Sequence, residues 1–117
     1  MIDSGDTIFG KIIRKEIPAT IVYETENVLA FRDISPVAPT HIVIIPKRFI
    51  KDLASVGPAD KEILGELMLV ATEVAKRENI EDKGYRIVIN TGKQGGQTVF
   101  HLHLHLIGGR AMDWPPG

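Results

Sequence analysis

The chain of 117 residues contains no cysteine, which excludes disulfide bonds and thiolate metal sites. It has no long apolar run, since stretches such as 42–45 are far too short to cross a bilayer, and its acidic start is unlike a signal peptide. An excess of one charge is also missing, because 14 basic and 15 acidic residues give a formal net charge of -1. We therefore expect a cytoplasmic protein with neither a nucleic-acid partner nor a membrane partner.

The length fits one domain over residues 1–117, and the apolar pattern is of α+β type without repeats. Helical spacing predicts a short N-terminal helix that Asp6 caps and Pro18 stops. One long helix is predicted from Pro58 to about Lys76. Shorter runs predict strands at 21–23 and 28–32, which form a hairpin, at 41–45 and 85–90, and in a last segment that ends at 108–109 and pairs with 85–90 in antiparallel fashion.

Three of the four histidines alternate with leucines in His101-Leu102-His103-Leu104-His105-Leu106-Ile107. In a β-strand alternate side chains point to opposite faces, so the imidazoles should line one face while the leucines enter the core. Neutral imidazole is a nucleophile, a proton carrier and a metal ligand near neutral pH. A catalytic interpretation uses all three rings, with a central nucleophile and a neighbour on each side that orients it and handles protons.

Zinc binding is an alternative interpretation of the same histidines, with His41 or Asp33 as a third ligand. Same-face neighbours on a strand lie roughly 6.6 Å apart, so His101 and His105 cannot readily share one ion. A purely structural set of buried histidines would need a partner for both nitrogens of every ring. We therefore favour catalysis and expect neither a metal nor another cofactor.

A glycine-rich turn at 91–98 lies directly before the histidines. By composition it is a turn that needs positive φ angles, and the residue order of a P-loop is missing. Glycines also let backbone N–H groups approach an anion, and the Asn90 amide and the Thr98 hydroxyl would be additional donors. Histidines beside such a cradle indicate phosphate chemistry.

Other residues suit the nucleoside part of a substrate. Asp33 either caps a turn or accepts hydrogen bonds from two ribose hydroxyls. Six apolar residues are most simply core, but an apolar slot is also what a nucleobase would enter; they are Ile8, Phe9, Ile12, Ile17, Phe31 and Ile34. Trp114 lies in a tail, 112–117, with little regular structure, and such a residue usually docks, often on another subunit.

These residues resemble the histidine triad superfamily. The segment 101–107 matches its His-φ-His-φ-His-φ-φ signature. Further segments are similar to its nucleotide-binding branch, in the same order along the chain: Asp6-Thr7-Ile8-Phe9-Gly10-Lys11-Ile12, Phe31-Arg32-Asp33-Ile34-Ser35-Pro36, Ala38-Pro39-Thr40-His41, Gly95-Gly96-Gln97 and Trp114-Pro115-Pro116-Gly117. The resemblance covers almost the whole chain, with one departure, since Thr98 stands where many members have serine.

The resemblance implies an α+β fold with a five-stranded antiparallel sheet, and a homodimer joined through the long helix and a sheet edge. It implies a hydrolase of purine nucleoside phosphoramidates, such as an adenylate linked to an amine or to lysine, and of related acyl-adenylates. Purine nucleotides such as AMP or GMP would then be its ligands. A zinc-binding regulatory protein and a non-catalytic nucleotide sensor or scaffold are the alternatives.

The resemblance also implies a role for each candidate residue. His103 would attack the α-phosphorus and form a nucleotidyl-imidazole intermediate, which requires that its other N–H be held by a backbone carbonyl or a side chain. His105 would contact a phosphoryl or leaving-group oxygen, with His101 and His41 in a supporting network. Asp33 would hold the ribose, and Trp114 would line the leaving-group side of the partner's site. The phosphate would be held by Asn90, Gly96, Gln97 and Thr98.

Overall fold

The computed structural model describes residues 3–117. It contains helices α1 (Ile8–Ile13) and α2 (Lys61–Arg77) and strands β1 (Ile21–Glu24), β2 (Val28–Arg32), β3 (Thr40–Pro46), β4 (Tyr85–Val88) and β5 (Leu104–Gly108). Two short 3-10 turns, Leu53–Ser55 and Pro58–Asp60, precede α2. Within the described range, no helix has the length and apolar character needed to cross a membrane. The expected α+β class is confirmed.

The five strands form one antiparallel sheet in the order β1-β2-β3-β5-β4. The last strand of the chain therefore lies inside the sheet, between β3 and β4. In its register with β3, His105 faces Val43 and Ile107 faces His41. His41 and His105 are consequently diagonal neighbours, close enough for their rings to meet.

The sheet has an apolar core on each face. On one face α2 packs its buried residues, among them Leu67, Ala71 and Val74, against Ile42 and Ile44. On the other face two residues of α1, Phe9 and Ile12, form a second cluster with sheet residues, namely Leu29, Phe31, Val43 and Ile45. Residues 102, 104 and 106, all leucine, join the α2 core, so the alternating histidines lie on the α1 face.

The structure corrects several predicted boundaries. Helix α1 is capped by Thr7, whose side chain accepts a hydrogen bond from the Gly10 N–H at 3.4 Å, and not by Asp6. It ends at Ile13, well before Pro18, because Lys15 adopts a left-handed φ of 63°. The predicted α2 is nearly correct, except that its first turn is a 3-10 turn.

The two strands that carry and flank the histidines are shorter than predicted. Strand β4 ends at Val88, and β5 begins only at Leu104, so His101 and His103 precede the strand. The reason is a different backbone partner, since the Leu102 N–H donates to the Ile50 carbonyl at 2.7 Å, outside the sheet ladder. The alternation of the side chains nevertheless continues through this segment.

Candidate active site

His103 is held in a tautomer that suits a nucleophile. Its Nδ1–H donates to the backbone carbonyl of His101 at 2.7 Å, and because a carbonyl only accepts, the proton is on Nδ1. The neutral ring therefore keeps a lone pair on Nε2. Burial lowers the pKa of His103, while the hydrogen bond to the His101 carbonyl and the charge of Asp33 oppose this. The ring is thus uncharged near neutral pH.

His41 and His105 form a hydrogen-bonded pair whose protons can be assigned from a backbone contact. The Val37 N–H donates to His41 Nδ1 at 3.1 Å, so this nitrogen carries no proton and Nε2 carries one. His41 Nε2 lies 2.9 Å from His105 Nδ1 and must be the donor of that bond. His105 therefore has its own proton on Nε2.

His105 is an uncharged hydrogen-bond donor beside His103. Its ring centroid lies 4.9 Å from that of His103. Burial, aided by the neighbouring rings of His103 and His41 and opposed by the charge of Asp33, lowers the pKa of His105 to about 4. The Nε2–H of His105 is therefore available as a neutral donor at physiological pH.

His101 is enclosed and cannot touch a substrate. Its side chain is fully buried between Phe9 and Phe49, with ring centroid separations of 6.1 and 5.5 Å. Its Nε2 is 2.8 Å from the Pro46 carbonyl and donates to it, while its buried Nδ1 has no hydrogen-bond partner within residues 3–117. This ring ties the segment before β5 to the end of β3, and its main-chain carbonyl orients His103.

Asp33 caps a turn with one carboxylate oxygen and directs the other toward His41. Its Oδ1 accepts the Ser35 N–H at 2.7 Å, which is the turn-capping contact. Its Oδ2 lies 3.5 Å from His41 Nε2. The residue also lines an apolar cleft, so one carboxylate oxygen fixes the loop and the other faces the site.

The cleft has a volume of about 280 Å³, and two of its lining residues, Phe9 and Asp33, also contact histidines of the site. All six apolar residues singled out from the sequence line it, namely Ile8, Phe9, Ile12, Ile17, Phe31 and Ile34. The Phe9 ring meets the His103 ring edge-on at a centroid distance of 5.0 Å, so the cleft adjoins His103. Ile34 is 94% exposed and forms the rim. An apolar slot with one carboxylate at its edge suits a nucleobase and a ribose.

The glycine-rich loop is braced by Gln97, which changes the role expected for that residue. The Gln97 side-chain amide donates to the carbonyls of Lys51 and Val99, both at 3.1 Å, and its carbonyl oxygen accepts the Gly92 N–H at 2.9 Å. The Gln97 N–H donates to the Gly92 carbonyl, and the Gly96 N–H to Lys93. The donors expected to hold phosphate from Gln97 and Gly96 are therefore already occupied within the protein.

The remaining candidate residues, Asn90, Thr98 and Trp114, are half-buried or exposed. Thr98 is exposed at the end of the glycine-rich loop, and Asn90 is half-buried at its start. Trp114 is 82% exposed. The tail that carries Trp114 is attached by a hydrogen bond of 3.0 Å from Arg86 to the Asp113 carbonyl.

Comparison with known proteins identifies the family. A family model described as the HIT domain matches residues 14–112. The chain belongs to the HIT domain family. It is 60% identical to the 14 kDa zinc-binding protein of Zea mays, over 99% of this chain and 91% of the maize protein.

Solved structures agree with this assignment. The HIT family hydrolase of Legionella pneumophila matches with a TM-score of 0.94 and 50% identity, over 96% of this chain and all of that one. The histidine triad nucleotide-binding protein of Candida albicans matches with a TM-score of 0.80 and 31% identity, over 94% of this chain and 83% of that one. The histidine triad family expected from the motifs is thereby confirmed.

The sequence predicted that a backbone carbonyl or a side chain would hold the second N–H of His103, but it did not identify which backbone groups set the ring protons of this HIT site. The carbonyls of His101 and Pro46 and the N–H of Val37 are all used, and none is visible in a residue type. The aromatic neighbours of His101 were also not expected as such. Two signals pointed to contacts of this kind: buried ring nitrogens need partners, and a nucleophilic His103 needs its other N–H held.

One group of side chains in the HIT site has metal-binding character. Ligand atoms of Asp33, His41 and His105 all lie within 4.8 Å of one another. A neutral His41 that bound an ion through Nε2 would have to carry its proton on Nδ1, where the Val37 N–H now donates. The donor set is suitable for zinc, but the hydrogen bonding of His41 is not.

The buried histidines predict that acid destabilises the fold before most carboxylates titrate. Desolvation lowers the pKa values of His101, His103 and His105 in the folded state. Below the ordinary pKa of histidine, the unfolded chain therefore binds more protons than the folded protein does. The free energy of unfolding, measured with urea, should fall between about pH 7 and about pH 5, by up to roughly 1.4 kcal/mol per pH unit for each group. His105→Asn should give a shallower slope. A free energy that stays level over this range would contradict the assigned neutral rings.

Proposed function

We propose that this HIT protein hydrolyses purine nucleoside phosphoramidates, of the adenylyl-amine or adenylyl-lysine type, and related acyl-adenylates. The tautomer of His103 carries this proposal, because an unprotonated Nε2 beside an apolar cleft is the arrangement that nucleophilic attack needs. A relative from Legionella pneumophila is named a hydrolase, and one from Candida albicans is named nucleotide-binding. These names support a nucleotide as the class of substrate.

The reaction consists of two displacements at phosphorus. His103 Nε2 attacks the α-phosphorus in line, a bond from phosphorus to His103 forms, and the bond to the amine breaks. The amine leaves with the electron pair and takes up one proton. Water then attacks phosphorus, the bond to His103 breaks, a nucleoside monophosphate is released and water gives up one proton. The protons of the two steps balance.

His105 would assist both steps through its Nε2–H. A neutral donor aimed at a phosphoryl or leaving-group oxygen stabilises the charge that develops there, and burial strengthens the interaction. The bond from His41 to His105 Nδ1, at 2.9 Å, fixes the proton on the opposite nitrogen. His101 would act through its backbone carbonyl and its packing. No cofactor takes part in this scheme.

The substrate would be held by three parts of the protein. The base would lie in the apolar cleft, whose shape favours purines but offers little to separate adenine from guanine. Asp33 would accept the ribose hydroxyls, chiefly at Oδ2, since Oδ1 is engaged by Ser35. Asn90 and Thr98 would contact the phosphate from the loop that Gln97 braces and Gly96 turns.

A homodimer through α2 and the edge of the sheet belongs to the same proposal. Helix α2 exposes Met68 and Leu69, by 45% and 69%, and β4 is an edge strand that pairs on one side only within residues 3–117. Trp114, which is 82% exposed, would line the leaving-group side of the partner's site.

Zinc binding is the second candidate function. The grouping of Asp33, His41 and His105 favours it, as does the name of the maize relative. Against it stands the Val37 N–H, which occupies the nitrogen that a zinc-bound His41 would have to protonate. A non-catalytic nucleotide sensor would use the cleft and Asp33 but would have no need of a lone pair on His103.

Replacement of the nucleophile tests the proposed function. His103→Ala should abolish turnover of an adenosine phosphoramidate, whereas AMP affinity should stay within about tenfold, roughly 1.4 kcal/mol, because the cleft and Asp33 remain. Calorimetric titration with AMP provides the control that the site is still formed. A variant that binds AMP and also keeps substantial turnover would exclude the covalent route.

Removal of metal separates the two candidate functions. The proposed displacement needs no Lewis acid, so thorough chelation should leave both kcat/KM and the melting temperature unchanged. Activity that is lost on chelation and restored by one equivalent of zinc would instead favour the zinc-binding function.

A further inference from the structure

Arg110 connects the start of the tail to the loop between β2 and β3. Its Nε–H donates to the Val37 carbonyl at 2.9 Å, and its Nη1 donates to the Ala111 carbonyl at 3.2 Å. Both acceptors are backbone carbonyls rather than carboxylates. The side chain is exposed, so these two bonds define where the guanidinium lies.

A close backbone approach brings Arg110 to this loop. Gly109 has a φ of 92°, and a Cβ placed on it would lie 2.9 Å from the Cβ of Pro39. Only glycine combines this conformation with this contact. The chain therefore leaves β5 by folding directly against the loop that precedes His41.

Val37 links the contact with Arg110 to the rings of His41 and His105. Val37, whose carbonyl Arg110 holds, donates its N–H to His41 Nδ1 at 3.1 Å. His41 in turn lies 2.9 Å from His105 Nδ1. If the Val37 N–H moved away, His41 would be free to carry its proton on either nitrogen. With the proton on His41 Nδ1, His105 would lose the donor that now keeps its proton on Nε2.

We propose that Arg110 is a positioning residue that fixes, through Val37, which nitrogens of His41 and His105 carry their protons. This inference rests on the proposed function for its consequence in catalysis, since it makes His105 an N–H donor toward the reacting phosphate. Arg110 would touch neither the base nor the ribose. Its effect should therefore appear in kcat and in the tautomers of the two rings, and not in nucleotide affinity.

The test uses Arg110→Met in the full chain, which keeps an apolar stem and removes every donor. Long-range proton–nitrogen NMR spectra of the free protein should show single tautomers for His41 and His105 in the unaltered protein and mixed tautomers in the variant. The kcat for an adenosine phosphoramidate should fall about fivefold to tenfold, as for the loss of one hydrogen bond, while the Kd for AMP changes by less than about twofold.

Two further variants complete the design. Arg110→Lys keeps a cationic donor and should restore part of the kcat and of the single tautomers. Arg48→Met removes another exposed arginine, whose 2.8 Å bond goes to Asp60, and should leave tautomers and kcat as they were. Melting temperatures of all variants report on general loss of structure.

The NMR result decides the inference independently of activity. Unchanged ring nitrogen shifts in Arg110→Met would overturn it, even if the rate fell. Mixed tautomers would support the link from Arg110 to His41 and His105, even if the unaltered protein proved unable to cleave phosphoramidates. In that second case the proposed function would fail while the positioning of the rings by Arg110 would stand.

Discussion

The hydrogen bond from His103 Nδ1 to the backbone carbonyl of His101 is the interaction on which the site depends. This bond of 2.7 Å fixes the proton of His103 on Nδ1 and leaves the lone pair of Nε2 unprotonated. The carbonyl is in place because the His101 ring is buried and bonded to Pro46 at the end of β3. A buried histidine thus sets the proton position of the next histidine in the chain, His103.

The order of the strands in the sheet brings the residues of the site together. Because β5 lies between β3 and β4, His105 comes beside His41 on the face that α1 covers, while the leucines face α2. The same face carries Phe9 and Phe31, so the apolar cleft and the histidines share one surface of the sheet. The topology therefore places the cleft proposed for the base next to the histidine proposed as the nucleophile.

The pattern of side chains along the sequence predicted much of this arrangement. It did not predict which backbone groups the side chains of the site would contact. Alternation placed the three imidazoles on one face correctly, and all six apolar residues proposed for the slot line the cleft. The expected donors of Gln97 are instead occupied by carbonyls of Lys51 and Val99, since a long polar side chain in a glycine-rich loop satisfies nearby backbone first. The Val37 N–H and its effect on His41 have no signature in residue type.

Covalent attachment of His103 to phosphorus, as proposed, can be read from the stereochemistry of hydrolysis. Each in-line displacement inverts phosphorus, so two displacements restore the original configuration. A P-chiral adenosine phosphoramidothioate, hydrolysed in isotopically labelled water, should therefore give adenosine thiophosphate with retention of configuration. Inversion would mean that water attacks the substrate directly, and that His103 does not form the intermediate.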